Sequence, residues 1–425
     1  MKQLLLSLAL LLPLLLPVSG WAVRLQTTGI EEGNVGITTN WNTNVGSVGT
    51  ASTTSPHSGT YKFSTVSTAA ISVLRRALTN HTSGTLYTRF YFETSVAPAG
   101  DTIMYEQMRD DAITGGLRLT LLTTGAVKLT NVVSGTTVTS STILSVNTWY
   151  RFELEHLVSD TVGTMTLRLY AADSTTITET LAITAEDTLP TNIGLFYFGK
   201  NTATNTVVFS YDDIVINDAI GGGVFGTWPG PGKIYLLIPD SNVSMQWETS
   251  AGAADSADFS TIDDLPGAAN DADYNAADTT LDALDALGNI DRLGLTNPGA
   301  EVTSDATIIS LAVYGRVGSS QTSATHLRLN LWDEAASLTN GPSATCNVNG
   351  WRIMSDTEVL VYNASGKTKA NLNSFNAGYE DITDVIAARP RRISALWVNV
   401  EWIEASGAGG AILQNNSGFL GAIIK

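Results

Sequence analysis

Apolar and polar residues alternate with a period of two along many short runs of this chain. In the run from Thr164 to Tyr170, Met165, Leu167 and Leu169 share one phase and Thr164, Thr166 and Arg168 the other. Tyr150, Phe152 and Leu154 alternate with Arg151, Glu153 and Glu155, and the same period groups Leu327 with Leu329 and Leu331, and Leu396 with Val398, Val400 and Trp402. Successive side chains of a strand point to opposite faces of its sheet, so the pattern predicts strands with one buried and one wet face. Between these runs Gly, Asn and Ser-Gly breaks recur in a background of Thr, Ser and Val, a composition that favours strands and tight turns over helices. The expected fold class is all-β, with two β-sandwiches in tandem.

The strongest interruption is AIGGGVFGTWPGPGK at 219–233, where three glycines and a Pro-Gly-Pro-Gly run continue neither helix nor strand. At the N-terminus, Lys2 precedes an apolar stretch from Leu4 to Leu16, and Gly20 and Ala22 suit cleavage before Val23. This is the pattern of an export signal, too short and too interrupted by Pro13 and Pro17 for a membrane span. The expected organisation is a signal peptide at 1–22, a first sandwich at 23–219, a linker at 220–232, a second sandwich at 233–404 and a Gly-rich apolar tail at 405–425. No later stretch is long and apolar enough to span a membrane. An Asp- and Ala-rich excursion occupies 251–286, within which Leu281, Leu284 and Leu287 would stripe one or two helical turns. The tail reads as a last strand, a flexible end or a self-association segment, which makes a homo-oligomer one expectation.

Charge narrows the partners. The formal net charge is −17, which disfavours nucleic acid and anionic membranes as partners and favours cations. The single cysteine, Cys346, allows no intrachain disulfide and is expected to be a buried apolar thiol.

Four stretches carry a resemblance: HSGTYKF (His57 to Phe63), TRFYFETS (Thr88 to Ser95), TWYRFELEH (Thr148 to His156) and FSYDDIVIND (Phe209 to Asp218). In their order and spacing, residues from about 24 to 219 resemble the concanavalin A-like lectin/glucanase superfamily in its laminin-G-like jelly-roll form. The resemblance implies a two-sheet jelly roll, and carbohydrate or protein binding more often than catalysis, although a fold does not fix a function. The second half loosely resembles β-sandwich modules of phage virion and tail-associated proteins.

Glycoside hydrolysis needs two carboxylates flanking a cleft. The glucanase branch of the superfamily carries Glu-x-Asp-x-x-Glu on one strand; here Glu153-x-Glu155 stands in its place without the Asp, on the polar phase of an ordinary alternating strand. No catalytic residue is assigned, and the chain is expected not to be an enzyme. The histidines, His57, His81, His156 and His326, show no metal-ligand spacing, no Gly-x-Ser-x-Gly elbow appears, and Ser365 to Thr368 (SGKT) lacks a phosphate loop's first glycine because Val361 stands there.

Calcium is the candidate ion. Asp271, Asp273 and Asn275 occupy alternating loop positions with Asp282 further on, although Ala276 replaces the glycine of a calcium loop. Asp212 and Asp213 sit where the alternation slips from Val207, Phe209 and Tyr211 to Ile214 and Ile216, which predicts a β-bulge able to aim a carboxylate at an ion or a backbone N–H. Sugar binding calls for exposed rings beside polar groups. Trp41, Tyr61, Tyr105, Tyr197 and Tyr211 are the candidates, core packing being the alternative for each. The leading reading is a secreted or surface-displayed lectin-like protein that binds glycan or another extracellular polymer. A structural virion component and a divergent polysaccharide hydrolase or lyase are the alternatives.

Overall fold

The computed structural model of the chain describes residues 23–404 apart from 32, 34–42, 48, 82–83, 109–114, 189–192, 220–224, 250–258, 266–268, 270, 277–288, 320–325, 347–349, 356 and 383–390. The expected signal peptide, Trp41, the Leu281–Leu287 stripe, Asp282 and the 405–425 tail therefore lie outside the described residues. What is described is nearly all β; the exceptions are a one-turn α-helix at Lys369–Leu372 and a 3-10 turn at Phe259–Thr261. No helix among the described residues is long and apolar enough to cross a membrane.

The first sandwich contains β1 (Val23–Thr28), β2 (Thr43–Gly46), β3 (Thr50–Ser52), β4 (Lys62–Ser64), β5 (Ser72–His81), β6 (Gly84–Thr94), β7 (Thr102–Met108), β8 (Gly115–Leu121), β9 (Ala126–Asn131), β10 (Thr137–Ile143), β11 (Tyr150–Val158), β12 (Gly163–Ala171), β13 (Glu179–Glu186), β14 (Ile193–Lys200) and β15 (Phe209–Asp218). An eight-stranded sheet runs β13–β12–β11–β6–β15–β4–β3, with β1 also on β15, and faces a seven-stranded sheet in the order β10–β9–β8–β7–β14–β5–β2. Between them lie the core rings: Phe152, which the period-two reading put in phase with Tyr150 and Leu154, stacks on Phe90 at 5.3 Å, and Phe92, Phe198, Phe209 and Tyr211 close around them. Burying each such ring contributes about 1.5–3 kcal/mol.

The expected bulge is present. The register of β15 against β6 slips between Asp212 and Val215, and Asp213 has φ +47°. The slip divides the other edge of β15: Ser210 and Tyr211 pair with β4, and Ile214 to Asp218 pair with β1.

The second sandwich contains β16 (Lys233–Leu237), β17 (Pro239–Ser244), β18 (Glu248–Thr249), β19 (Asn275–Ala276), β20 (Ile290–Leu295), β21 (Thr307–Ser319), β22 (His326–Trp332), β23 (Leu338–Thr345), β24 (Gly350–Ile353), β25 (Leu360–Thr368), β26 (Asn376–Asp381) and β27 (Arg391–Ile403). One sheet of seven strands is built on β19–β27–β21–β24, with β18, β16 and β25 added; the other runs β17–β20–β26–β22–β23. Pro239 begins an edge strand, where its missing N–H costs no ladder bond. Leu327, Leu329 and Leu331 meet Leu396, Val398 and Val400 in this core. Cys346 is buried there, as expected, and burial pushes its thiol up to about 12. The SGKT segment is the end of strand β25.

The structure departs from the sequence reading on the polar face of the eight-stranded sheet. Arg151 and Glu153 alternate with core rings and were expected to be wet, yet each is only 1% exposed, and Arg89 on the neighbouring strand is 0% exposed. Arg151 is held by Glu153 at 2.8 Å and by the carbonyls of Ala172 and Ser174. Arg89 reaches into the second sandwich. Its Nη1 donates to Glu401 Oε1 of β27 at 2.6 Å, and Arg24 of β1 donates to Glu401 Oε2. Around this triad Asn399 donates to the Thr27 carbonyl at 2.7 Å, and Thr27 N–H donates to the Tyr314 hydroxyl at 3.3 Å. The polar face of one sheet is therefore packed on the polar face of another.

Removing one partner of a buried ion group strands the others without a counter-charge. Glu401→Gln should lower unfolding free energy by about 3–5 kcal/mol, read by urea denaturation. A loss below about 1 kcal/mol, the range of exposed ion pairs, would contradict the role given to the triad.

Candidate functional site

The second sandwich meets the eight-stranded sheet, so the outer face of the seven-stranded sheet lies on the far side of the first core. Core packing fixes which residues reach that face. Phe196 and Phe198 point inward on β14, which turns Tyr197 outward; Tyr105 and Gln107 point inward on β7, which turns Glu106 outward. On the inner side, Gln107 donates to the Tyr105 hydroxyl at 2.8 Å and lies 2.7 Å from His156 Nδ1. Burial lowers His156 to about 4, so the imidazole is neutral and serves as a core hydrogen-bonding group.

The registers line up one outer row, Arg75 (β5), Tyr197 (β14), Glu106 (β7), Arg118 (β8) and Thr130 (β9). Adjacent strands lie about 4.8 Å apart, so the row is roughly 19 Å long. Glu106 is only 1% exposed because its neighbours cover it: Arg118 Nε donates to Oε1 at 2.6 Å and Asn201 Nδ2 donates to Oε2. Arg75 is half-buried, and its Nε is a buried donor with no hydrogen-bond partner. Two residues along, Lys128 pairs with Asp101 at 3.7 Å. A half-buried phenol ring between forked donors can pack against a sugar ring while those donors read its oxygens.

Of the aromatic residues singled out in the sequence, Tyr197 alone among the described ones joins this row. Tyr105 and Tyr211 are core residues, 1% and 0% exposed, so neither can form a binding platform. The Tyr211 hydroxyl is spent on the Met104 carbonyl at 2.6 Å. Tyr61 is half-buried against the first core, its ring close over Gly33. Arg75, Glu106, Arg118 and Asn201 were not singled out. The alternation in MYEQM and LRL does put Glu106 and Arg118 on an outer face, but only strand register brings them beside Tyr197.

Three of the four acidic candidates, Asp212, Asp213 and Asp271, are used internally. Asp212 Oδ2 accepts the His57 and Ser58 N–H groups at 2.8 and 3.2 Å, and its Oδ1 accepts the Asp213 N–H. Burial, and then the adjacent Asp213 carboxylate, push the Asp212 pKa well above the usual range. Asp213 accepts the Ser58 hydroxyl and the Ile234 N–H, both at 2.7 Å. Asp271 is in a fork with Arg316 at 2.7 and 2.6 Å, and Asp273 is exposed. Among the described residues, no three His, Cys, Asp or Glu side chains come together as a group that could hold a metal ion. Glu153 is buried against Arg151, and desolvation raises its pKa.

A second polar cluster forms where the bulge meets the second sandwich. His57 Nδ1 is 2.6 Å from Asp213 Oδ2 and Nε2 is 3.3 Å from Asp173 Oδ1, with the ring stacked on Tyr91 at 3.6 Å. Tyr91 also donates to Asp173, and Lys233 stands 3.8 Å from it. Burial by itself would lower the His57 pKa, but the hydrogen bonds to Asp173 and Asp213 outweigh it and the pKa is raised. A raised folded-state pKa means that the stabilisation is complete below the unfolded value of about 6.5 and is lost as pH rises through the folded value. Unfolding free energy measured across that interval should fall with rising pH in the wild type and lose this component in His57→Gln. An unchanged pH slope in the variant would contradict the assignment.

No protein-family model and no curated protein matches the chain. Among solved structures, a Trypanosoma rangeli sialidase is similar at TM-score 0.29 and 10% identity over 41% of this chain, which spans only 27% of the sialidase chain. Lectin I from Ulex europaeus, solved with the methyl glycoside of α-L-fucose, is similar at TM-score 0.30 and 11% identity over 46% of this chain and 97% of the lectin. The N-terminal CBM22-1–CBM22-2 tandem domain from Paenibacillus barcinonensis Xyn10C is similar at TM-score 0.24 and 9% identity, over 90% of this chain and 99% of that one. Likeness at these levels carries no argument about a ligand, and the site rests on its own geometry.

Proposed function

We propose that the chain is an exported, non-catalytic carbohydrate-binding protein whose ligand lies along the outer row of the seven-stranded sheet. The observation that carries this is Tyr197, held in register between Arg75, whose Nε has no partner, and the Glu106–Arg118–Asn201 group. The ring offers an apolar surface, the guanidiniums offer fixed donors, and the sheet beneath is immobilised by a filled core. The acids support a binding role over hydrolysis. Glu106 has both oxygens engaged, and Glu153, nearest to the superfamily's catalytic strand motif, is buried in an ion pair. No metal is invoked, because Asp212, Asp213 and Asp271 already accept protein donors.

The test is titration of the full chain with soluble polysaccharides of plant, algal and bacterial origin. At least one should bind saturably, and Tyr197→Ala should weaken it at least about tenfold, equivalent to about 1.4 kcal/mol, with the melting temperature unchanged. Wild-type affinity in that variant, or no binding across the panel, would contradict the proposal. Binding should also survive EDTA; loss on chelation, restored by Ca²⁺, would return calcium to the site.

A further inference from the structure

The charged groups along the row point to the class of sugar. A neutral sugar hydroxyl both donates and accepts, so a site that reads it uses carboxylate or amide acceptors as well as donors. Here the carboxylates are occupied. Glu106 is covered and takes one bond from Arg118 and one from Asn201; Asp101 is paired with Lys128. The donors are in surplus. Among the described residues Arg75 has no ion-pair partner, its Nε is buried without a hydrogen bond, and Arg118, 33% exposed, spends only its Nε on Glu106. Among the described residues of this row and its immediate neighbours, three cations (Arg75, Arg118 and Lys128) stand with two acids (Glu106 and Asp101), in a chain of net −17. Guanidinium forks match carboxylate geometry, and a buried unsatisfied N–H is costly unless a ligand satisfies it.

We infer that the ligand of this face is an acidic glycan, and that Arg75 binds a sugar carboxylate beside Tyr197, with the free Arg118 nitrogens as a second donor set. This rests on the carbohydrate-binding reading above and adds the chemical class to it. The chain as a whole repels polyanions, so a preference for acidic polymer would arise locally and not from net charge.

The experiment compares uronate-containing polysaccharides with their carboxyl-reduced forms, which keep the backbone and lose the charge. The wild-type chain should bind the acidic form at least about tenfold more tightly, equivalent to about 1.4 kcal/mol. Arg75→Met should abolish that preference with an unchanged melting temperature, and Arg75→Lys should restore part of it. Equal affinity of the wild type for both forms, or a preference that survives in Arg75→Met, would overturn the inference and leave the carbohydrate reading standing. Binding to neither form nor to any neutral polysaccharide would overturn both.

Discussion

Glu401 is a carboxylate enclosed between two guanidiniums that arrive from the other sandwich, and the arrangement of the molecule follows from that contact. Arg24 and Arg89 hold one oxygen each, and Ser310 donates a third hydrogen bond. Burial alone would raise the Glu401 pKa, but the two arginines reverse this and hold it below the usual range. Charges in such a place are stable only as a set. Gly232 shows how little room the set leaves: a Cβ there would sit 2.5 Å from Arg89 Nη1. The bulge at Asp212–Asp213 belongs to the same junction, because it ends the β4 pairing, admits β1, and supplies the carboxylate that receives the Ile234 N–H.

The pairing of polar faces decides which surface is left for a ligand. The eight-stranded sheet spends its arginines and acids on the second sandwich and on its own loops. The seven-stranded sheet retains a row in which Tyr197, Arg75 and the outer nitrogens of Arg118 are not consumed. Both sheets carry polar outer positions in the sequence; partners from elsewhere in the chain make one structural and leave the other available.

Alternation made the cores legible. Phe152, Leu154, Leu329 and Val398 are inside because neighbouring positions are polar, a local property. It also held the clue to Tyr197, flanked by two inward phenylalanines, and to Tyr105, whose neighbour Glu106 turns outward. The fate of the polar positions was not legible in the same way. Glu401 reads as one polar residue between Val400 and Trp402, and its partners are 377 and 312 residues away. Arg151 and Glu153 read as a solvated pair, yet carbonyls twenty-odd positions along the chain enclose Arg151. Period two reports which side a residue faces, and not whether that side meets water or another sheet. The row at Tyr197 depends on the register of five strands, which no single run encodes.

The most direct test of the ligand face is amide hydrogen exchange of the full chain with and without a bound polysaccharide. New protection concentrated in β5, β7, β8 and β14, with β20, β22 and β26 unaffected, is the result this account predicts. Protection confined to the second sandwich, with the strands around Tyr197 exchanging as in the free protein, would contradict it.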